Sequence, residues 1–184
     1  MKKILAMMLV IVMTVTAVAC GKDKKEDPQG ATPLDILTKV WQSYEKDEKF
    51  NAAGGDPANG VMDKPGKFDV ADIENLDVQL GFPQASAALI EDAASLVHMI
   101  GNIFTAGAYY VTDSSEIELL TSDLQDNILS RQWLDAVPDK LLIVSVGDNV
   151  VISIFGQEEL VDTFQEKLTA IYDEVKVYAE EKVK

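Results

Sequence analysis

Histidine and cysteine, the commonest metal ligands and frequent catalytic groups, are scarce among the 184 residues. His98 is the only histidine and Cys20 the only cysteine. An imidazole metal site or a proton-passing triad needs further members at ligand or hydrogen-bond distance. His98 lies in the apolar run Leu96-Val97-His98-Met99-Ile100, where a structural, partly buried role is expected. Acidic residues are plentiful, but Asp113-x-x-Glu116 and Asp123-x-x-Asp126 have the spacing of helix starts and helix faces. No stretch has the D-x-D-x-D-G order of a calcium loop. G-x-S-x-G, P-loop and G-x-G-x-x-G patterns are all missing. What remains is aromatic. Tyr109 and Tyr110 are neighbours in a strand-like run, so their rings point to opposite faces, one toward a core and one outward. Trp133 follows Arg131 and precedes Pro138, a place where a ring could line a groove. Trp133, Tyr109 and Tyr110 are the candidate ligand contacts, with core packing as the competing role. Asp56 and Asn59, in a glycine-rich loop, are the other polar candidates. No catalytic residue, metal ligand or cofactor is expected.

The first 21 residues carry a different kind of chemistry. Lys2 and Lys3 precede an uncharged run, Ile4 to Ala19. As a helix those 16 residues reach about 24 Å at roughly 1.5 Å each, short of a roughly 30 Å hydrocarbon layer. A cleaved signal fits better than a permanent span. Ala17-Val18-Ala19-Cys20-Gly21 resembles the bacterial lipobox, although Ala17 stands where leucine is commonest. That resemblance implies a diacylglycerol on the Cys20 sulfur, cleavage between Ala19 and Cys20, and palmitate-like acyl chains as the anchor. The alternative is an ordinary secretory signal cut after Ala19, since Ala17-x-Ala19 also fits a small-x-small site. A lone cysteine, with no partner for an intramolecular disulfide, favours lipidation. The expected location is the outer face of the cytoplasmic membrane, with the bilayer held through Cys20.

Removing residues 1–19 takes away Lys2 and Lys3. The 16 basic residues fall to 14 against 31 acidic ones, a net charge of −17. Such a body repels nucleic acid and anionic headgroups, so no nucleic-acid partner is expected. The remaining 165 residues suffice for one domain.

Along the mature chain, residues 20–31 read as the lipidated cysteine and a flexible tether, charged and Pro/Gly-punctuated. Residues 32–67 read as an N-terminal helix and a Gly/Pro-rich loop. Thr32 is placed as N-cap, Pro33 as N1 and Asp35 as N3 of a helix to about residue 47. Phe50 to Lys67 holds too much glycine and proline for extended regular structure. Residues 68–184 read as an α+β domain. A helix over 68–80, with Asp69 as its cap, closes at Gly81. Residues 85–100 show helical periodicity, and 103–112 are strand-like. A helix over 113–131 starts at the capping box Ser115-x-x-Glu118. Residues 140–155 form a hairpin around Gly147-Asp148-Asn149. A final helix from Gln157 carries a stripe out to Tyr178 and then frays.

LGFP (80–83), SLVHMIGNIFTAGAYYV (95–111), RQW (131–133), PDKL (138–141) and GDNVVISIFG (147–156) resemble a family of small Gram-positive bacterial lipoproteins. Their conserved α+β domain has no assigned function. GGDPANGVMDKPGKFD (54–69) also resembles close relatives. The resemblance implies the order β-β-α-β-β-α, a strand at about 93–100, and a small, mainly antiparallel sheet with helices on one face plus N-terminal helices. It brings no functional residues. The expected function is a non-enzymatic, lipid-anchored extracytoplasmic binding or interaction protein, its partner an envelope protein or a small solute. The alternative is a carboxylate-dependent cell-envelope hydrolase.

Overall fold

The computed structural model describes residues 25–101, 103–133 and 136–183. Residues 1–19, read above as a cleaved signal, and Cys20 lie outside them. The elements run α1 (Pro33–Gln42), β1 (Ala52–Gly54), β2 (Val61–Met62), β3 (Gly66–Phe68), α2 (Ile73–Leu80), β4 (Ile90–His98), β5 (Phe104–Val111), α3 (Ile117–Leu129), β6 (Lys140–Val146), β7 (Val150–Gly156), α4 (Glu158–Ile171) and β8 (Val175–Lys182). All strand pairs are antiparallel, and the sheet runs β2-β1-β4-β5-β7-β6-β8, with β3 beside β4. This is the α+β class, and β4-β5-α3-β6-β7-α4 has the expected β-β-α-β-β-α order.

The helices, expected on one face, lie on both. On one side α1 and α4 bury Ile36, Leu37, Val40, Phe164 and Leu168 against Leu142, Val144, Ile152 and Ile154. On the other, α2 and α3 bury Leu76, Leu80, Leu120, Leu124 and Ile128 against Tyr109, Ile143, Val151 and Phe155. Every residue of β6 and β7 is buried, as in a strand covered on both sides.

Local chemistry explains the ends of several elements. Thr32 and Asp35 exchange a complete capping box at the start of α1. The α2 helix starts later than expected. Asp72, not Asp69, caps it, while Asp69 makes a turn onto the Ala71 N–H. At its end Gly81 takes the left-handed conformation, φ 69°, that favours glycine. The expected capping box at Ser115 is not made. Instead Asp113 accepts from the Ser115 N–H and opens a 3₁₀ turn ahead of α3. Residues 84–89 form another 3₁₀ turn and 90–98 a strand, so the helical reading of 85–100 gives way to the strand.

The largest correction is at the C-terminus. The last helix ends at Ile171, and the residues expected to continue it form β8 along β6. Apolar residues at 171, 175 and 178 fit a helical period. Val175 and Val177 are β-branched, however, and β6 offers an open ladder of backbone groups.

Two boundaries also move. Position 67/68 falls inside β3, so residues 32–67 share the sheet and core of the rest. Lys25 to Ala31, expected to be free tether, are fastened to the domain. The Glu26 N–H donates to the Ile171 carbonyl at 2.7 Å, and the Glu26 carboxylate pairs with Lys39. Lys25 reaches Asp173 at 3.7 Å. Pro28 is buried on Gly147 at the β6–β7 turn.

Candidate functional site

The fastened segment roofs a cleft of about 290 Å³. Its walls are Asp27 to Ala31 on one side, Val146 to Val150 on the other, and Tyr110 and Glu174 between them. Each part is held by backbone bonds. The Gly147 N–H donates to the Glu174 carbonyl at 2.9 Å, and Gly147 has φ 61°, which lets the hairpin turn tightly. Asn149 donates through Nδ2 to the Val111 carbonyl at 2.8 Å, and its own carbonyl accepts the Val111 N–H at 2.7 Å. Asp27 is engaged by the Gln29 N–H at 2.9 Å. The polar side chains lining the cleft are those of Asp27, Gln29, Tyr110, Asp148, Asn149 and Glu174. Among the described residues, no histidine, serine or lysine lines it.

The three aromatic candidates are not brought together. Only Tyr110, half-buried, reaches the cleft. Tyr109 is fully buried on the opposite face, its ring 4.8 Å from that of Phe82 and its hydroxyl 3.4 Å from the Ser153 Oγ. Burial pushes its hydroxyl pKa well above the usual tyrosine value. Trp133 packs on Phe155 at 5.4 Å, with the Arg131 guanidinium 5.4 Å from its ring. Arg131 is itself engaged on the Val78 carbonyl at 2.9 Å. Trp133 and Tyr109 are therefore packing residues of the α2/α3 face.

The glycine-rich loop proves to be an ordered excursion from the edge of β4. β1 and β3 both pair with β4, end to end, and their backbones meet at Gly54 and Gly66, where neither position has room for a Cβ. Asp56 organises the loop. Its carboxylate accepts from the Ala58 N–H at 2.8 Å, the Asn59 N–H at 2.9 Å, the Asn59 side chain and the Asp69 N–H at 3.1 Å. Burial pushes the Asp56 carboxyl up, but these bonds outweigh it and hold the group below the usual carboxylate range. With its oxygens committed inward, Asp56 shapes the loop. His98 stacks on Phe50 at 5.3 Å, and its Nδ1 accepts the Ile100 N–H at 3.0 Å.

One charged group was not anticipated. Lys140, nearly buried at the start of β6, bonds Asp162 of α4 at 2.7 Å and Glu180 of β8 at 2.6 Å. Burial lowers its pKa, and the two carboxylates more than reverse that. The trio clamps the last helix and the last strand to the sheet. A lysine opening the run LLIVSV carries no sign in sequence of carboxylates 22 and 40 residues away.

Among the described residues no group of three or more His, Cys, Asp or Glu side chains is placed to hold a metal ion. No helix among them is long and apolar enough to cross a membrane. No family model matches the chain, and no curated protein and no solved structure matches it.

Proposed function

We propose that this is a lipid-anchored extracytoplasmic protein that binds an envelope protein or a small solute without catalysing a reaction, akin to the small Gram-positive lipoproteins its sequence resembles. The observation that carries the reading is Ala17-Val18-Ala19-Cys20-Gly21 after a short apolar run, with Cys20 the only cysteine of the chain. Two acyl chains, at about 0.8 kcal/mol per buried CH₂, anchor stably where one is marginal. The cleft beneath Pro28 is walled in part by the segment that follows Cys20 in the chain, and Tyr110 is the aromatic surface a solute would meet there.

Fractionation tests the anchor. The wild-type chain is expected in the membrane fraction as a processed form, and Cys20→Ala as the uncleaved precursor. A processed Cys20→Ala chain in the medium would point to ordinary secretion. Recovery of a partner with the intact protein from native membranes, lost on Tyr110→Ala, would tie binding to the cleft.

A further inference from the structure

The fastening of Lys25 to Ala31 bears on where the domain faces. Cys20 and Lys25 are five residues apart, about 17 Å at roughly 3.3–3.6 Å per residue. A tether free as far as Thr32 would span twelve residues, about 40 Å, and would let the domain turn in any direction. Lys25 emerges at one end of the sheet. Asp173 beside it belongs to the α4–β8 turn, and Pro28 sits on the β6–β7 turn at Gly147. The strand register places Ile90, Val111, Val150, Val146 and Val175 at that end. The opposite end carries His98, Phe104, Gly156, Lys140 and Lys182. From Ile90 to His98 the sheet is about 27 Å long at roughly 3.4 Å per residue. Even fully extended, the link from Cys20 to Lys25 is thus shorter than the domain is tall.

We infer that the bilayer lies against the end of the sheet formed by Pro28, the β6–β7 turn and the α4–β8 turn, and that the opposite end stands away from it. This rests on the lipid anchor proposed above. The near end has its own chemistry for that position. Lys22, Lys24 and Lys25 stand within five residues of the lipidated cysteine, where basic residues are drawn to an anionic surface. The far end holds the exposed apolar side chains Met62, Met99 and Ile100, on and beside the Gly/Pro-rich excursion, and turns them toward the outside.

The test uses the full-length lipidated protein, purified from membranes and returned to vesicles of phosphatidylglycerol and phosphatidylethanolamine carrying an acceptor lipid. Because acylation occupies Cys20, Asp148→Cys and Ile100→Cys each supply a single free thiol for a donor dye, one at each end. Energy transfer to the bilayer is expected to be at least twofold greater from position 148 than from position 100. Twelve Gly/Ser residues inserted between Lys24 and Lys25 should largely abolish that difference. Equal transfer from the two native-length chains that float with the vesicles would overturn the orientation while leaving the anchor standing. A chain that does not float with vesicles would overturn the anchor itself, and the orientation with it.

Discussion

The ring of Tyr109 lies back across Gly107 of its own strand, and its hydroxyl fills the space that a Cβ at residue 107 would need. Gly66, Ser95, Gly107 and Ser153 form one row of small residues across β3, β4, β5 and β7, and the ring tip lies over it near Ser153. Leu80 of α2 closes over the same spot. Gly107→Ala therefore has to displace a fully buried ring. It should cost about 1–3 kcal/mol, the usual range for an overpacked core. Combining it with Tyr109→Phe, which removes the clashing oxygen, should recover part of the loss. Denaturant melts of the two singles and the double check this, and strictly additive losses would contradict the contact.

Phe164 anchors α4. Its side chain is fully buried, and its ring lies 5.7 Å from that of Phe104. Phe164→Ala should cost about 3–5 kcal/mol, a large share of a domain stability of roughly 5–15 kcal/mol. Glu166→Ala, on the exposed side of the helix, should stay within about 0.5 kcal/mol. Equal, small losses would mean that α4 is not docked.

The helices α1 and α4 were legible because their apolar spacing is long and regular. Leu37, Val40 and Trp41 mark α1, and Val161, Phe164 and Leu168 mark α4. The hairpin was legible from two β-branched runs around a glycine turn. The helices α2 and α3 were legible too, but their place on the second face of the sheet was not. The near-continuous burial of β6 and β7 implies cover on both sides, but a short apolar run alone does not say whether one face or two are covered. The β8 strand was hidden because Val175 and Tyr178 fall on the helical stripe. Only the open edge of β6, a tertiary fact, selects the strand. The fastened segment was hidden for a similar reason. Its composition is that of a linker, and its hold depends on Ile171, Gly147 and Lys39, all distant in sequence. Of the candidate aromatics, the opposite facing of Tyr109 and Tyr110 was readable. Which of the two faced a cleft was not.

Asp56 gives the glycine loop an acid dependence. Asp56→Asn puts an amide NH₂ against backbone donors whichever way the group is turned. The expected cost at neutral pH is about 1–3 kcal/mol. Because the folded-state pKa lies below the unfolded value of 3.8, the carboxylate's contribution is complete above that pH and is lost as pH falls through the folded value. The gap between wild type and variant should thus narrow only below about pH 3.8. A gap unchanged down to pH 2 would contradict the bonding of the carboxylate.

Tyr172 does the reverse at high pH. It is buried beneath the fastened segment, and its hydroxyl has no hydrogen-bond partner among the described residues. Burial first, then the charges of Glu26 and Asp35, push its pKa from 10.0 up to about 12. Between those two values the folded chain keeps a proton that the unfolded chain has released, so this contribution to stability is full below pH 10 and is lost as pH rises toward 12. Tyr172→Phe removes an unpaired polar atom. It should leave stability at pH 7 unchanged or slightly raised, within about 1 kcal/mol, and should flatten the alkaline fall. An equally steep alkaline fall in the variant, read by melts across pH 9–12, would contradict the assignment.

The most direct measurement is the intact mass of the protein extracted from its native membranes. The expected species begins at Cys20 and carries a diacylglycerol on the sulfur, with or without a further acyl chain on the new amino terminus. An unmodified chain beginning at Cys20, in membranes or medium, would contradict the lipid anchor.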